Sequence, residues 1–120
     1  MSEPHDPTAR YADMFAALGT EPRLRIIRLL LSAYPTGMVA GEIQSELRIP
    51  ASTLSHHLEK LRTEGLIRVR RQGTFLWYSS DTDALRELLG FLYAECCKRA
   101  GAGIPEDLIQ VSAEPTPPRR

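Results

Sequence analysis

Pro50-Ala51-Ser52-Thr53-Leu54-Ser55-His56-His57-Leu58-Glu59-Lys60-Leu61-Arg62-Thr63-Glu64-Gly65-Leu66-Ile67 is the stretch that decides the fold. Leu54, Leu58 and Leu61 recur at spacings of four and three, the period of a helix with one buried stripe. Pro50-Ala51-Ser52 opens that helix, which is predicted to run to Glu64 and stop at Gly65. Stepping about 100° per residue from the leucines puts Ser52, His56, Glu59 and Thr63 on the far side. Thr53, Ser55, Lys60 and Arg62 fall on the flanks, and His57 lies nearer the core edge.

Beyond Gly65 the period changes. Leu66–Arg71 and Thr74–Ser79 read as two strands joined by a tight turn at Gln72-Gly73, rich in β-branched and aromatic residues. Upstream, a short helix over Ala40–Leu47 carries Ile43 and Leu47 one turn apart, after a turn at Tyr34-Pro35-Thr36-Gly37 and a short extended Met38-Val39. Before that, Thr20 reads as the cap of a helix with Pro22 in its first turn, continuing through Ser32. Its predicted interior is Leu24, Ile27, Leu30 and Leu31, and its outer face Arg23, Arg25 and Arg28. A first helix over Thr8–Leu18 ends at Gly19, and a last helix runs from Asp81 or Thr82 to about Arg99. Leu85, Leu88, Leu89, Leu92 and Cys96 form one stripe of that last helix. Residues 1–7 are expected to be disordered, 8–100 to form the domain, and 101–120 to be a mobile tail. Helix, helix, short helix, helix, hairpin, helix is a mostly α layout with a β-hairpin wing, a winged helix-turn-helix.

The chain has 120 residues, 42% apolar and 25% charged, one soluble domain's worth. Apolar runs are short, as where Arg28 separates Ile26-Ile27 from Leu29-Leu30-Leu31, so no membrane span is expected. The acidic, proline-rich start has no basic region leading into an apolar one and does not read as a secretory leader. Two adjacent cysteines cannot staple a fold, which points to a reducing, cytoplasmic setting. The net charge of zero hides a segregation: residues 48–72 carry six basic and two acidic groups. A local patch of that sign is what a phosphate backbone responds to. No nucleophile–base pair, phosphate loop or carboxylate pair marks an enzyme.

Ser52, Thr53, Ser55 and His56 are short hydrogen-bonding side chains at the start of a helix, suited to base edges in a major groove. Arg68, Arg70 and Arg71 surround Gln72-Gly73, placing a basic wing where it reaches a flanking phosphate or minor groove. The competing reading is an ordinary solvated helix with arginines that only blunt a sheet edge.

Leu54–Ile67, followed by Arg70-Arg71-Gln72-Gly73 and Trp77-Tyr78, resembles the ArsR/SmtB family of bacterial repressors, and Leu18–Ile27 is similar to that family's second helix. The resemblance covers about residues 10–100. It implies a homodimer built through the first and last helices, a palindromic double-stranded operator, and release when an inducer binds. Ser52, Thr53, Ser55 and His56 would then read bases, while Arg70, Arg71, Gln72 and Gly73 hold the flank. His57 matches the histidine of the family's Ser-x-His-Leu, a packing and phosphate-positioning residue.

The family's inducer sites differ. Its common arsenic site needs two cysteines on the helix before the recognition helix, where this chain has Glu42–Leu47 and none. Its zinc site on the last helix needs histidines that Asp81 and Asp83 lack. Cys96-Cys97 resembles a subset of arsenic responders in which a third cysteine follows, but Lys98–Gly103 contains none. Thiolates are natural ligands of trivalent arsenic and antimony. The third ligand would be water, chloride or a partner-chain residue, or else the inducer is an organoarsenical that needs only two sulfurs. Lys98 and Arg99 are expected to favour the thiolate, and Gly101 to let the helix end yield. Simple packing of Cys96 and oxidation of the pair are the alternatives. The expectation is therefore a repressor with no obligatory cofactor, induced by As(III) or Sb(III) at Cys96 and Cys97; a winged-helix protein-interaction module without DNA binding is the competing class.

Overall fold

The computed structural model describes residues 6–99. Apart from Asp6 and Pro7, the predicted disordered start lies outside the described residues, as does the predicted mobile tail over 101–120. The elements are α1 (Thr8–Leu18), α2 (Glu21–Ser32), β1 (Met38–Val39), α3 (Ala40–Leu47), α4 (Ala51–Thr63), β2 (Ile67–Gln72), β3 (Phe75–Ser80) and α5 (Thr82–Tyr93). The described residues divide into two compact units, one ending at Leu85 and the other beginning at Arg86, and α5 begins in the first and continues into the second.

In the first unit, the predicted leucine stripe of α4 is buried throughout: Leu54, Leu58 and Leu61 join Met14 of α1, Ile43 of α3, and Ile26 and Leu30 of α2 in the core. The face of α2 is rotated from its predicted one. Ile26, Ile27 and Leu30 are buried, while Leu24 and Leu31 are 47% and 40% exposed. At about 100° per residue the buried face centres on Arg23, Ile26, Ile27 and Leu30, which leaves Leu24 and Leu31 on its flanks. Arg23 therefore turns inward rather than outward. Its Nε donates to the Ala17 carbonyl at 2.6 Å, and its guanidinium lies 3.3 Å from His57 Nδ1 on α4.

Chain punctuation follows the sequence closely. The Thr20 hydroxyl accepts from the Arg23 backbone N–H at 3.4 Å and Pro22 sits in the first turn of α2. The Glu42 carboxylate accepts from the Val39 N–H at 3.2 Å and so caps α3. Gly65, at φ +76°, closes α4, with its N–H bonded to the Arg62 carbonyl and that of Leu66 to the Leu61 carbonyl, both at 2.9 Å. These two bonds form a Schellman motif, which uses the backbone of Leu66 for the helix end.

The hairpin is shifted by one residue from its predicted limits. The turn is Gly73-Thr74, with Gln72 opposite Phe75, so Gln72 is the last residue of β2 rather than part of the turn. Gly73 takes φ +65°, which glycine adopts without steric cost. The antiparallel sheet has the order β1-β3-β2, with Met38 opposite Tyr78 and Val39 opposite Trp77. The Ser80 hydroxyl is buried and donates to the Ile27 carbonyl at 3.3 Å.

The last helix is shorter than predicted. It ends at Tyr93, and bonds from Cys96 N–H to the Tyr93 carbonyl (2.8 Å) and from Lys98 N–H to the Glu95 carbonyl (3.4 Å) replace the helical pattern. Cys97 has φ +66°, which a right-handed helix does not accommodate. Within α5, Leu88 is buried, but Leu89 and Leu92 are 47% and 53% exposed.

Gly37 has φ +84°, and a Cβ there would run into the Tyr78 carbonyl oxygen on β3. Gly37→Ala should therefore lower unfolding free energy by about 1–3 kcal/mol, read from urea denaturation; an unchanged midpoint would contradict this packing. A second expectation concerns pH. Partial burial, with Arg23 and His56 nearby, holds His57 below the ordinary histidine range. The unfolded chain then binds the proton more readily, so this contribution is intact above about pH 6.5 and lost as pH falls below it. His57→Asn should flatten the fall in urea midpoint in that window; parallel falls in both proteins would contradict it.

Candidate nucleic-acid interface

The geometry of α4 follows from its buried side. With Leu54, Leu58 and Leu61 turned into the core, Ser52, Thr53, Ser55 and His56 are exposed together over the first half of the helix. His57 is half-buried at the edge, where Arg23 contacts its Nδ1. The Arg23 guanidinium can only donate, so this contact has His57 Nδ1 as the acceptor and favours the neutral ring. This contact ties α2 to α4 and holds His57 away from the outer face. The turn that aims α4 is set by Arg48, at φ +56°, whose N–H donates to the Gln44 carbonyl at 2.7 Å.

The wing separates two residues that the sequence placed together. Arg70 stands opposite Trp77 and Arg71 opposite Leu76, so by the alternation of a strand they lie on opposite faces of the hairpin. Arg70 is engaged: it donates to Gln72 Oε1 at 2.6 Å and to the Thr36 carbonyl at 3.3 Å, and its guanidinium carbon lies 5.6 Å from the Trp77 ring centroid. The Gln72 amide oxygen is thereby committed to Arg70, leaving its NH₂ for other partners. Arg71 is exposed and shares its face of the hairpin with Val69, Leu76 and Tyr78. Val69, Leu76 and Tyr78 line a cleft of about 370 Å³ against α3 and α4, with Ser55, Glu59 and Arg62 on the helix side. Phe75, at the wing tip beside the turn, is 60% exposed.

Several cations of the basic stretch are balanced within the protein. Arg62 pairs with Glu59 at 2.6 Å, and Arg68 lies 3.1 Å from Asp81 and 3.6 Å from Asp83. These pairs are exposed and contribute little to stability. Sequence reasoning put Glu59 on the outer side of the helix but missed its pairing with Arg62, for which the i,i+3 spacing was the available signal.

The thiols lie in the second unit, in the turn after α5. Their Sγ atoms are 3.3 Å apart and both residues are half-buried. The expected help from Lys98 and Arg99 is not what governs Cys96. The hydrogen bond that the Cys96 thiol shares with Cys97, with desolvation and the charge of Cys97 adding to it, pushes Cys96 above the ordinary thiol range. Lys98 is 3.5 Å from Glu95. Among the described residues no group of three or more His, Cys, Asp or Glu side chains is arranged to hold a metal ion. Nor, among them, is any helix long and apolar enough to cross a membrane.

Comparison with known proteins fits the same elements. Residues 18–70, from the end of α1 into β2, match a family described as a helix-turn-helix domain. The HTH-type transcriptional regulator MJ1325 of Methanocaldococcus jannaschii is 36% identical over 78 residues, covering 65% of this chain and 85% of that protein. The transcriptional activator HlyU of Vibrio cholerae is 32% identical over 98 residues, covering 79% of this chain and 88% of HlyU. A solved HlyU structure superposes with a TM-score of 0.59 over 76% of this chain and 99% of that one, at 33% identity. Another is described as the reduced protein. An ArsR-like transcriptional regulator from Rhodococcus gives a TM-score of 0.62 at 25% identity, covering 79% of this chain and 82% of that one. The order of helices, the wing and these relatives together place the chain in the ArsR-like family of winged helix-turn-helix transcriptional regulators.

Proposed function

We propose that this regulator is a cytoplasmic homodimeric repressor that binds a palindromic operator and releases it when trivalent arsenic or antimony bridges Cys96 and Cys97. The observation that carries the DNA-binding half is the exposed run Ser52, Thr53, Ser55 and His56 on α4, beside a wing that offers Arg71 on one face and a braced Arg70 on the other. Short polar side chains let the helix backbone approach base edges, while the arginines meet phosphate and set register. The exposed Leu89 and Leu92 of α5 support pairing with a second copy through the last helix, and the first helix is assigned to the same interface by the family resemblance.

Cys96 and Cys97 support the sensing half, because two sulfurs 3.3 Å apart converge on one position that a thiophilic atom would occupy. The turn after Tyr93 is already non-helical, so chelation does not need to unwind a helix there. Two recognition helices of a dimer must meet successive major grooves about 34–36 Å apart. A metalloid that reshapes the end of α5 alters that spacing. A second reading, in which oxidation of the pair is the signal, draws on the same sulfur contact. It competes with the strain of closing a disulfide between neighbours.

Fluorescence anisotropy of a labelled fragment of the gene's own promoter tests these assignments. Binding should weaken steeply with salt, and Arg71→Ala should reduce the log–log slope by about one. Absence of salt-dependent binding would leave the protein-interaction reading instead. Arsenite, antimonite or phenylarsine oxide should release the fragment, and the Cys96→Ser, Cys97→Ser double variant should bind but no longer respond. Induction that survives in that variant would overturn the proposed sensor, and release only by peroxide would favour oxidation. The thiols make a separate expectation. With Cys96 held above its ordinary range, less of it is thiolate than in an unpaired thiol, and thiolate is the species that alkylates. Cys97→Ser should therefore speed iodoacetamide labelling of Cys96 at pH 8; equal or slower labelling would contradict the coupling.

A further inference from the structure

Glu59 is out of place on a surface built for a polyanion. It lies one turn beyond Ser55 on the outward side of α4, its side chain is 62% exposed, and a carboxylate there repels phosphate. The protein nonetheless holds it in a fixed position. Arg62 Nε donates to Glu59 Oε1 at 3.3 Å and Arg62 Nη2 to Oε2 at 2.6 Å, while the Thr63 hydroxyl donates to Oε2 at 3.4 Å. Three contacts leave an ionised carboxylate with lone-pair capacity for a further donor. The two-armed guanidinium contact also fixes its plane, which a single contact would not.

We infer that Glu59 is a specificity-determining residue that accepts a hydrogen bond from the amino group of a cytosine in the major groove, held in position by Arg62. The inference rests on the proposed DNA-binding role of α4. Only two groups on the major-groove edges of bases donate hydrogen bonds, the amino groups of cytosine and adenine. In adenine that donor sits beside the N7 acceptor, which repels a carboxylate; cytosine presents no such acceptor of its own. The reach is compatible. From Ser52 to Glu59 the helix rises about 10 Å, within the groove's width of about 12 Å. Arg62, about 15 Å from Ser52 along the axis, falls level with the backbone, where its charge offsets that of Glu59 against phosphate. Ser55, Glu59 and Arg62 are exposed and follow one another at spacings of four and three along one stripe of α4, so a duplex running along that stripe meets all three. Arg62 acts here as a positioning residue.

Selection of the full-length protein against a randomised 30-base-pair duplex library, followed by sequencing, tests the assignment. The parent protein should enrich a site with one position per half-site where C·G is preferred by roughly tenfold or more. Glu59→Ala should erase the preference at that position alone while binding unrelated duplexes at least as tightly. Glu59→Gln should move it toward adenine, because an amide pairs with adenine N6 and N7 together. Arg62→Ala should weaken the cytosine preference without transferring it to another base. Both Glu59 variants alter an exposed side chain, so their folding is not in question. An unchanged profile in Glu59→Ala, or tighter binding with every position still read as before, would overturn the role and leave Glu59 as an electrostatic brake on Arg62. Failure of the parent protein to enrich any sequence would overturn the DNA-binding reading on which this one depends.

Discussion

Leu54, Leu58 and Leu61 are 1%, 4% and 0% exposed, and because a single helix face goes into the core, their burial settles what every other residue of α4 meets. Each buried leucine contributes about 1.5–3 kcal/mol of apolar transfer, more than any hydrogen bond on the outer face supplies. The rotation of α4 is therefore fixed by packing and not by what it recognises. Ser52, Thr53, Ser55 and His56 point outward as a consequence, and so does Glu59. The chemistry of the surface is free to vary as long as the leucines stay.

Rotation alone does not fix the helix in place, and polar contacts complete the job. Arg23 reaches from α2 to the Ala17 carbonyl and to His57, joining three helices through one guanidinium. A neutral His57 suits that arrangement, since a second cation beside Arg23 would be repelled. The wing is braced in the same manner. Arg70 lies over Trp77 and bonds to Gln72 and Thr36, so it stiffens the hairpin on one face while Arg71 remains exposed on the other. Only part of the formal charge of residues 48–72 is thus offered outward, because Arg62 and Arg68 are balanced by Glu59, Asp81 and Asp83. What presents itself is a patterned surface more than a uniformly basic one.

Much of the fold was legible because it is written in local signals. The leucine spacing placed α4, Thr20 and Pro22 placed the start of α2, and the shift from a helical to an alternating pattern after Gly65 placed the hairpin. The errors arose where a local signal was ambiguous or the deciding partner was distant. In α2 two apolar faces compete, and only packing against the other helices decides that Ile26 goes in and Leu24 stays out. Arg23 looked like a surface cation because its partner His57 is 34 residues away. The hairpin is one residue off because Gly73, at φ +65°, takes the first place of the two-residue turn and not the second, which a Gln-Gly pair alone does not decide. The stripe of α5 continued on paper to Cys96, yet the backbone leaves the helix after Tyr93, and no residue type in Ala94–Arg99 announces that. Of the site, the outward residues of α4 were readable from periodicity, whereas the division of labour between Arg70 and Arg71 depended on strand register.

The central claim is that the duplex is met by the first half of α4 and by the wing of the same unit. Backbone amide NMR of the ¹⁵N-labelled protein, titrated with a duplex from its own promoter, tests this most directly. The account predicts that the largest shifts fall on residues 51–56 and on 70–74, with Glu59 and Arg62 following, while the amides of buried Leu30 and Ile43 stay in place. Shifts concentrated elsewhere, or a spectrum that the duplex leaves unchanged, would contradict it.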